Sequence, residues 1–165
     1  MFWNVAQRAK NYIRVLTGSP DAKAVLRGGP SYPDLHATVK FYQTGDGVLV
    51  CAVASGLPEK NGPCPGGVFG FHIHEGTSCA GAGSDPFAAT GGHYNPGGCR
   101  HPYHAGDMPP LFSNGGRAFL VFLTNRFKVR DIIGKTVVIH SGRDDFTTQP
   151  SGDSGAKIAC GVITA

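Results

Sequence analysis

Residues 35–54 read LHATVKFYQTGDGVLVCAVA, and this stretch decides the fold class. From His36 to Tyr42 polar and apolar side chains alternate, which is the period of a strand with one buried face. Gly45-Asp46-Gly47 then supplies a hairpin turn, and Gly47–Ala54 continues as a second apolar strand. Working outward, the segments Ala22–Arg27, Val68–His74, Ala118–Thr124, Gly134–His140 and Ile158–Thr164 are also predicted strands. Short strands separated by Gly- and Pro-rich turns predict an all-β sandwich or barrel. Composition agrees: 25 of 165 residues are glycine and 12 are proline.

Charged residues make up 16% of the chain, and 41% are apolar, too many for a disordered protein. No 18-residue apolar run is present, so no transmembrane helix is expected. The formal net charge of +4 is concentrated at the start. Residues 1–27 hold Arg8, Lys10, Arg14, Lys23 and Arg27 against Asp21, and the remainder is neutral with ten of each sign. The body therefore lacks the basic face of a nucleic-acid binder.

The domain reading divides the chain into an N-terminal amphipathic helix, 1–18, and a β domain, 19–165. In MFWNVAQRAKNYIRVLTG, Phe2, Val5, Ala9, Tyr12, Ile13 and Leu16 recur at helical spacing, with Gly18 and Pro20 as stop signals. A helix docked on its own domain is expected in preference to one lying on a membrane surface. No apolar core of a secretory signal follows the basic residues, which gives a cytoplasmic expectation.

Residues 75–117 do not read as strands, with ten glycines and five prolines in 43 positions, and 141–156 form a second loop. A structureless loop of that length needs a tether. Six of the seven histidines fall between 72 and 140. His72 and His74 are two apart on a strand, so both project from one face while Phe71 and Ile73 face the core. His93, His101, His104 and Asp107 follow within 15 residues, the N/O donor set of a tetrahedral zinc site. His140 ends the strand TVVIH. These donors are too many for one zinc, and two sites fit better: all-imidazole for copper, and one with a carboxylate for zinc. His36, on a strand outside the cluster, reads as a structural histidine. An HxH pair in a β-rich domain also fits a cupin, but Glu75 directly follows His74 without the cupin spacer, and a cupin leaves His104-Ala-Gly-Asp107 unexplained.

The stretches GFHIHEGTSC (70–79), GGHYNP (91–96), HAGDMPPL (104–111) and SGAKIACGVI (154–163) resemble the copper–zinc superoxide dismutase family in its bacterial style. The resemblance implies a Greek-key β-sandwich or flattened barrel with two long metal-binding loops. It implies one copper and one zinc ion per chain, with superoxide as substrate. His72, His74 and His140 would bind copper, His93 would bridge the metals, and His101, His104 and Asp107 would complete the zinc site. Asp144 would link His72 with His101, with Asp145 as the neighbouring alternative. Cys79 and Cys160 occupy the family's disulfide positions. Cys64 and Cys99 form a candidate second bridge, and Cys51, in an apolar strand, is expected to be a buried thiol. Two departures stand out: Lys157 occupies the place of the family's arginine beside copper, and only Pro102-Tyr103 separates His101 from His104. Arg143 is the alternative guanidinium for guiding the anion. His93 is the expected proton donor. Two functional classes follow, an active dismutase and a non-catalytic member that stores or buffers copper and zinc. A homodimer is compatible with either.

Overall fold

The computed structural model describes residues 5–59 and 67–165. Helix α1 (Val5–Leu16) precedes the strands β1 (Ala22–Gly28), β2 (His36–Thr44), β3 (Gly47–Ser55), β4 (Val68–Phe69) and β5 (Phe71–His74). The strands β6 (Leu111–Phe112) and β7 (Arg117–Thr124), a one-turn helix α2 (Val129–Ile132), β8 (Thr136–His140) and β9 (Lys157–Thr164) complete the chain. Seven strands form one antiparallel sheet in the order β5-β8-β9-β1-β2-β3-β7, and β4 pairs with β6 in a separate ribbon. The sheet curls into a half-barrel, as expected of the all-β reading.

Period-2 alternation builds the core. The inward set of β1 to β3 is Ala22, Ala24, Leu26, Ala37, Val39, Phe41, Val48, Val50, Ala52 and Ala54, all buried. Phe71, Ile73, Val137, Ile139, Ile158 and Ile163 close the other side. The hairpin at 45–47 forms with the register Thr44↔Gly47 through His36↔Ser55. Gly47 has a positive φ of 139°, which only glycine adopts freely.

Some expectations change. The run 68–74 is two strands, because Gly70 turns the chain from the β4 ribbon to β5; its amide donates to Gly142 O at 2.7 Å. The strand β6 lies inside the stretch read as loop, too short for a sequence period. Cys51 is half-buried: it faces outward opposite Val121, since alternation on β3 sends Val50 and Ala52 inward. Helix α1 docks largely through polar contacts. Arg8 Nη1 lies 2.7 Å from Asp46 Oδ2, Tyr12 OH donates to the same oxygen, and Tyr42 OH donates to Leu16 O. Tyr12, Val15 and Leu16 are half-buried, but Val5 and Ile13 remain 71% and 62% exposed, so the apolar stripe is only partly covered. Among the described residues no helix is long and apolar enough to cross a membrane.

Candidate metal centre

Strand β5 has one edge paired with β8. Its other edge is taken by the long loop. Ile73 N donates to Gly106 O at 2.9 Å, Tyr94 N to Ile73 O at 2.8 Å, and Glu75 N to Gly92 O at 2.9 Å. These bonds place His93 opposite His74 and Asp107 opposite His72. Edge pairing is thus the tether that the loop required, and it brings the loop's ligand residues beside the HxH pair. The disulfide Cys79–Cys160 adds a covalent tie between the same loop and β9, with Cα atoms 5.7 Å apart. Cys99 is a free, exposed thiol, and its candidate partner Cys64 lies outside the described residues.

Two groups of donors result: His72, His74, His93 and His140, then His93, His101, His104 and Asp107, with the donor atoms of each group mutually within 4.8 Å. His93 belongs to both. All six imidazoles are buried, and five of them, all but His104, direct one nitrogen to a fixed carbonyl or carboxylate oxygen. His72 Nε2–H donates to Asp144 Oδ2 at 2.7 Å and His101 Nε2–H to Asp144 Oδ1 at 2.9 Å. His74 Nδ1–H donates to Gly91 O at 2.9 Å, and His140 Nδ1–H to Gly155 O at 3.3 Å. With both Nδ1 protons so placed, His74 Nε2 and His140 Nε2 face each other as lone pairs only 3.2 Å apart.

The remaining ring nitrogens have no hydrogen-bond partner among the described residues: His72 Nδ1, His93 Nε2, His101 Nδ1 and His104 Nδ1. His101 Nδ1 is 3.1 Å from Asp107 Oδ2 and His104 Nδ1 is 3.4 Å from Asp107 Oδ1, close but not aligned as hydrogen bonds. His93 Nδ1 lies 2.7 Å from Asp107 Oδ1. Buried polar atoms without partners are unfavourable, and opposed lone pairs more so. A cation in each group would supply the missing partner for every one of them. The donor chemistry matches copper for the four imidazoles and zinc for three imidazoles with a carboxylate.

Electrostatics favour ligation. Burial, then the neighbouring His72, lowers the His140 pKa to about 3. Burial and the adjacent His140 hold His74 well below its usual value, and burial also lowers His72. These rings are therefore neutral at pH 7, the form that binds metal. Burial pulls Asp144 upward, but hydrogen bonds from His72, the Phe146 amide and His101 bring it down to about 2. Asp107 is likewise lowered, against burial, by His93 and then by His101 and His104.

Asp144 thus joins His72 to His101 through its two carboxylate oxygens. Phe146 has a left-handed φ of 60°, unfavourable for a bulky residue, and its amide donates to Asp144 Oδ1 at 2.7 Å. Gly152, at φ 71°, packs against the Asp144–His101 contact where a Cβ would collide. Asp145 instead closes its own turn, accepting from the Thr147 and Thr148 amides and the Thr148 hydroxyl. His36 lies outside both groups, 2.8 Å from Arg27 Nη1.

Two further residues hold the loop, and neither has a motif. Arg126 Nη1 donates to Pro102 O, His104 O and Asp107 O at 2.9, 3.2 and 3.3 Å. Gln149 accepts from His101 N at 3.0 Å and donates to His101 O at 2.7 Å. Only spatial proximity identifies them.

A cavity of about 780 Å³ opens beside the first group, lined by His74, His93 and His140 together with Lys157. The Lys157 ammonium is 2.7 Å from Asp85 Oδ2 and 3.2 Å from Phe87 O. Arg143 is exposed and is not among the lining residues.

A sequence model of the family described as copper/zinc superoxide dismutase (SODC) matches residues 35–163. Proteins named superoxide dismutase [Cu-Zn] are similar along most of their length. That of Deinococcus radiodurans is 36% identical, over 78% of this chain and 76% of that protein. That of Brucella abortus is 34% identical, over 84% and 94%, and that of Photobacterium leiognathi 38%, over 76% and 77%. A superoxide dismutase-like protein from Bacillus subtilis, solved as a double mutant, superposes with a TM-score of 0.67 at 28% identity, over 87% of this chain and 97% of that one. With the family's motifs folded into two donor groups that share one histidine, the chain belongs to the copper/zinc superoxide dismutase family.

Proposed function

We propose that this protein is a superoxide dismutase that uses one copper and one zinc ion per chain, bridged by His93. The observation that carries this reading is the pair of four-donor groups meeting at His93, in which four inward ring nitrogens have no hydrogen-bond partner among the described residues. His72 through Nδ1, and His74, His140 and His93 through Nε2, would hold copper. His101 and His104 through Nδ1, with His93 Nδ1 and Asp107, would hold zinc. Bound copper supplies a one-electron couple, so that two superoxide anions and two protons give dioxygen and hydrogen peroxide, while zinc supplies charge without redox chemistry.

The chain's own residues orient and protonate. Asp144 fixes the proton of His72 and of His101 on Nε2, leaving each Nδ1 free for a metal. Gly91 O and Gly155 O do the same for His74 and His140, with the opposite nitrogen left free. His93 lines the cavity, and its Nε2, whenever it is not ligating, is the atom that would hold a proton and deliver it to the reduced substrate. Superoxide consumption per bound copper tests the proposal. Metal-loaded protein should carry one copper and one zinc, His74→Ala should lose mainly copper and activity, and His104→Ala mainly zinc. The second reading, a non-catalytic member that holds the metals, is favoured by the Lys157–Asp85 ion pair beside the cavity. Full metal loading without superoxide turnover would establish it instead.

A further inference from the structure

Four charged side chains line the cavity: Glu75, Asp85, Arg100 and Lys157. Lys157 and Asp85 neutralise each other at 2.7 Å, and the Phe87 carbonyl holds the ammonium further. Arg126 is committed to three loop carbonyls. Arg100 is exposed, and among the described residues its guanidinium has no hydrogen-bond or ion-pair partner.

The backbone around Arg100 is fixed although its side chain is not. Asn95 brackets the preceding residue, donating from Nδ2 to Cys99 O at 2.8 Å and accepting from Cys99 N at 2.9 Å. Arg100 O accepts from Tyr103 N at 2.8 Å, and Gln149 clamps the following residue, His101, from both sides.

We propose that Arg100 is the specificity-determining cation of the cavity, the residue that draws in and orients the small anionic substrate, with Glu75 as the opposing charge. The inference rests on the dismutase reading. Attraction of superoxide by a positive cleft is a known property of this family; the assignment of that role to Arg100, in place of the arginine position now held by a paired Lys157, is the new element. A planar guanidinium can meet both oxygens of a diatomic anion, which an ammonium already bound to a carboxylate does not.

Initial rates on fully copper- and zinc-loaded protein across a salt series test this. Arg100→Gln should lower the rate about three- to tenfold at low ionic strength, with the long-range part of the difference lost as screening shortens the Debye length to about 3 Å in 1 M salt and a smaller contact part retained. Glu75→Gln should raise the low-salt rate, and Arg100→Lys should recover part of the loss. Arg130→Gln, which removes the same charge outside the cavity, corrects for net charge. Independently of activity, titrating inorganic phosphate into the metal-free protein should shift the Arg100 Nε–H resonance, an effect that Glu75→Gln strengthens. An active wild type whose rate and salt slope are unchanged in Arg100→Gln overturns the guide assignment while leaving the dismutase reading intact. A fully loaded but inactive wild type sinks the dismutase reading itself.

Discussion

Replacing Asp144 with asparagine should weaken copper more than zinc, and the direction follows from which oxygen accepts what. Asp144 Oδ1 accepts two hydrogen bonds, from His101 Nε2 at 2.9 Å and from the Phe146 amide at 2.7 Å. Oδ2 accepts one, from His72 Nε2 at 2.7 Å. An asparagine keeps its carbonyl oxygen where two donors converge, so its NH2 group faces the His72 Nε2–H, donor against donor. His72 relieves that clash by moving its proton to Nδ1, the nitrogen needed inward for copper. Loss of such an outer carboxylate typically lowers metal affinity about 10- to 100-fold, or about 1.4–2.8 kcal/mol. We expect that range for copper in Asp144→Asn, and a smaller loss for zinc because His101 retains its acceptor. Competition against chelators of known affinity, run separately for each metal, measures both constants. Equal losses at the two sites, or zinc weakened more than copper, would refute the oxygen-by-oxygen reasoning.

Three other outcomes follow from the same geometry. Metal-free protein should lose stability as pH falls below about 6.5: His140, with its folded pKa near 3, stays neutral while the unfolded imidazole takes up a proton. Each such ring removes about 1.4 kcal/mol per pH unit until the folded pKa is reached. Asp144, lowered to about 2, contributes stability above about pH 4 that disappears as pH approaches 2; urea titrations from pH 8 to 4 should show the imidazole slope, and metal loading should raise stability across that range while the onset stays at the unfolded imidazole pKa. Reduction of Cys79–Cys160, which spans 81 residues, removes a chain-entropy contribution on the order of 4 kcal/mol, and calorimetry should find a larger drop in Tm for metal-free than for metal-loaded protein; equal drops would count against the loop being tied twice. Arg126→Met frees the Pro102, His104 and Asp107 carbonyls, and zinc retention under dialysis should fall about tenfold while copper is held nearly as before; unchanged zinc retention would make Arg126 a surface residue.

The sequence alone determined the long strands and the candidate donors. Alternation in 36–42 and the turn at 45–47 fixed a hairpin whose register extends from His36 to Ser55, because side-chain period is a local property of the chain. His72 and His74 lie two apart, so their shared face was legible before any fold was known. The seven ligand candidates came from residue type, spacing and the family motifs, and Asp144 from the family resemblance; the structure brings these eight side chains together. What no local pattern carries is the outcome of long-range pairing. Only the tertiary structure placed His93 and Asp107 against the free edge of β5, since that requires a remote loop to satisfy backbone groups the sequence does not label. Likewise, Arg126 and Gln149 became loop clamps only once the chain ends of β7 and the second loop met the zinc-type ligands. The charge at the cavity shows the same division: sequence showed a lysine at 157, but whether that lysine is free to meet an anion was decided by Asp85, 72 residues away and 2.7 Å distant.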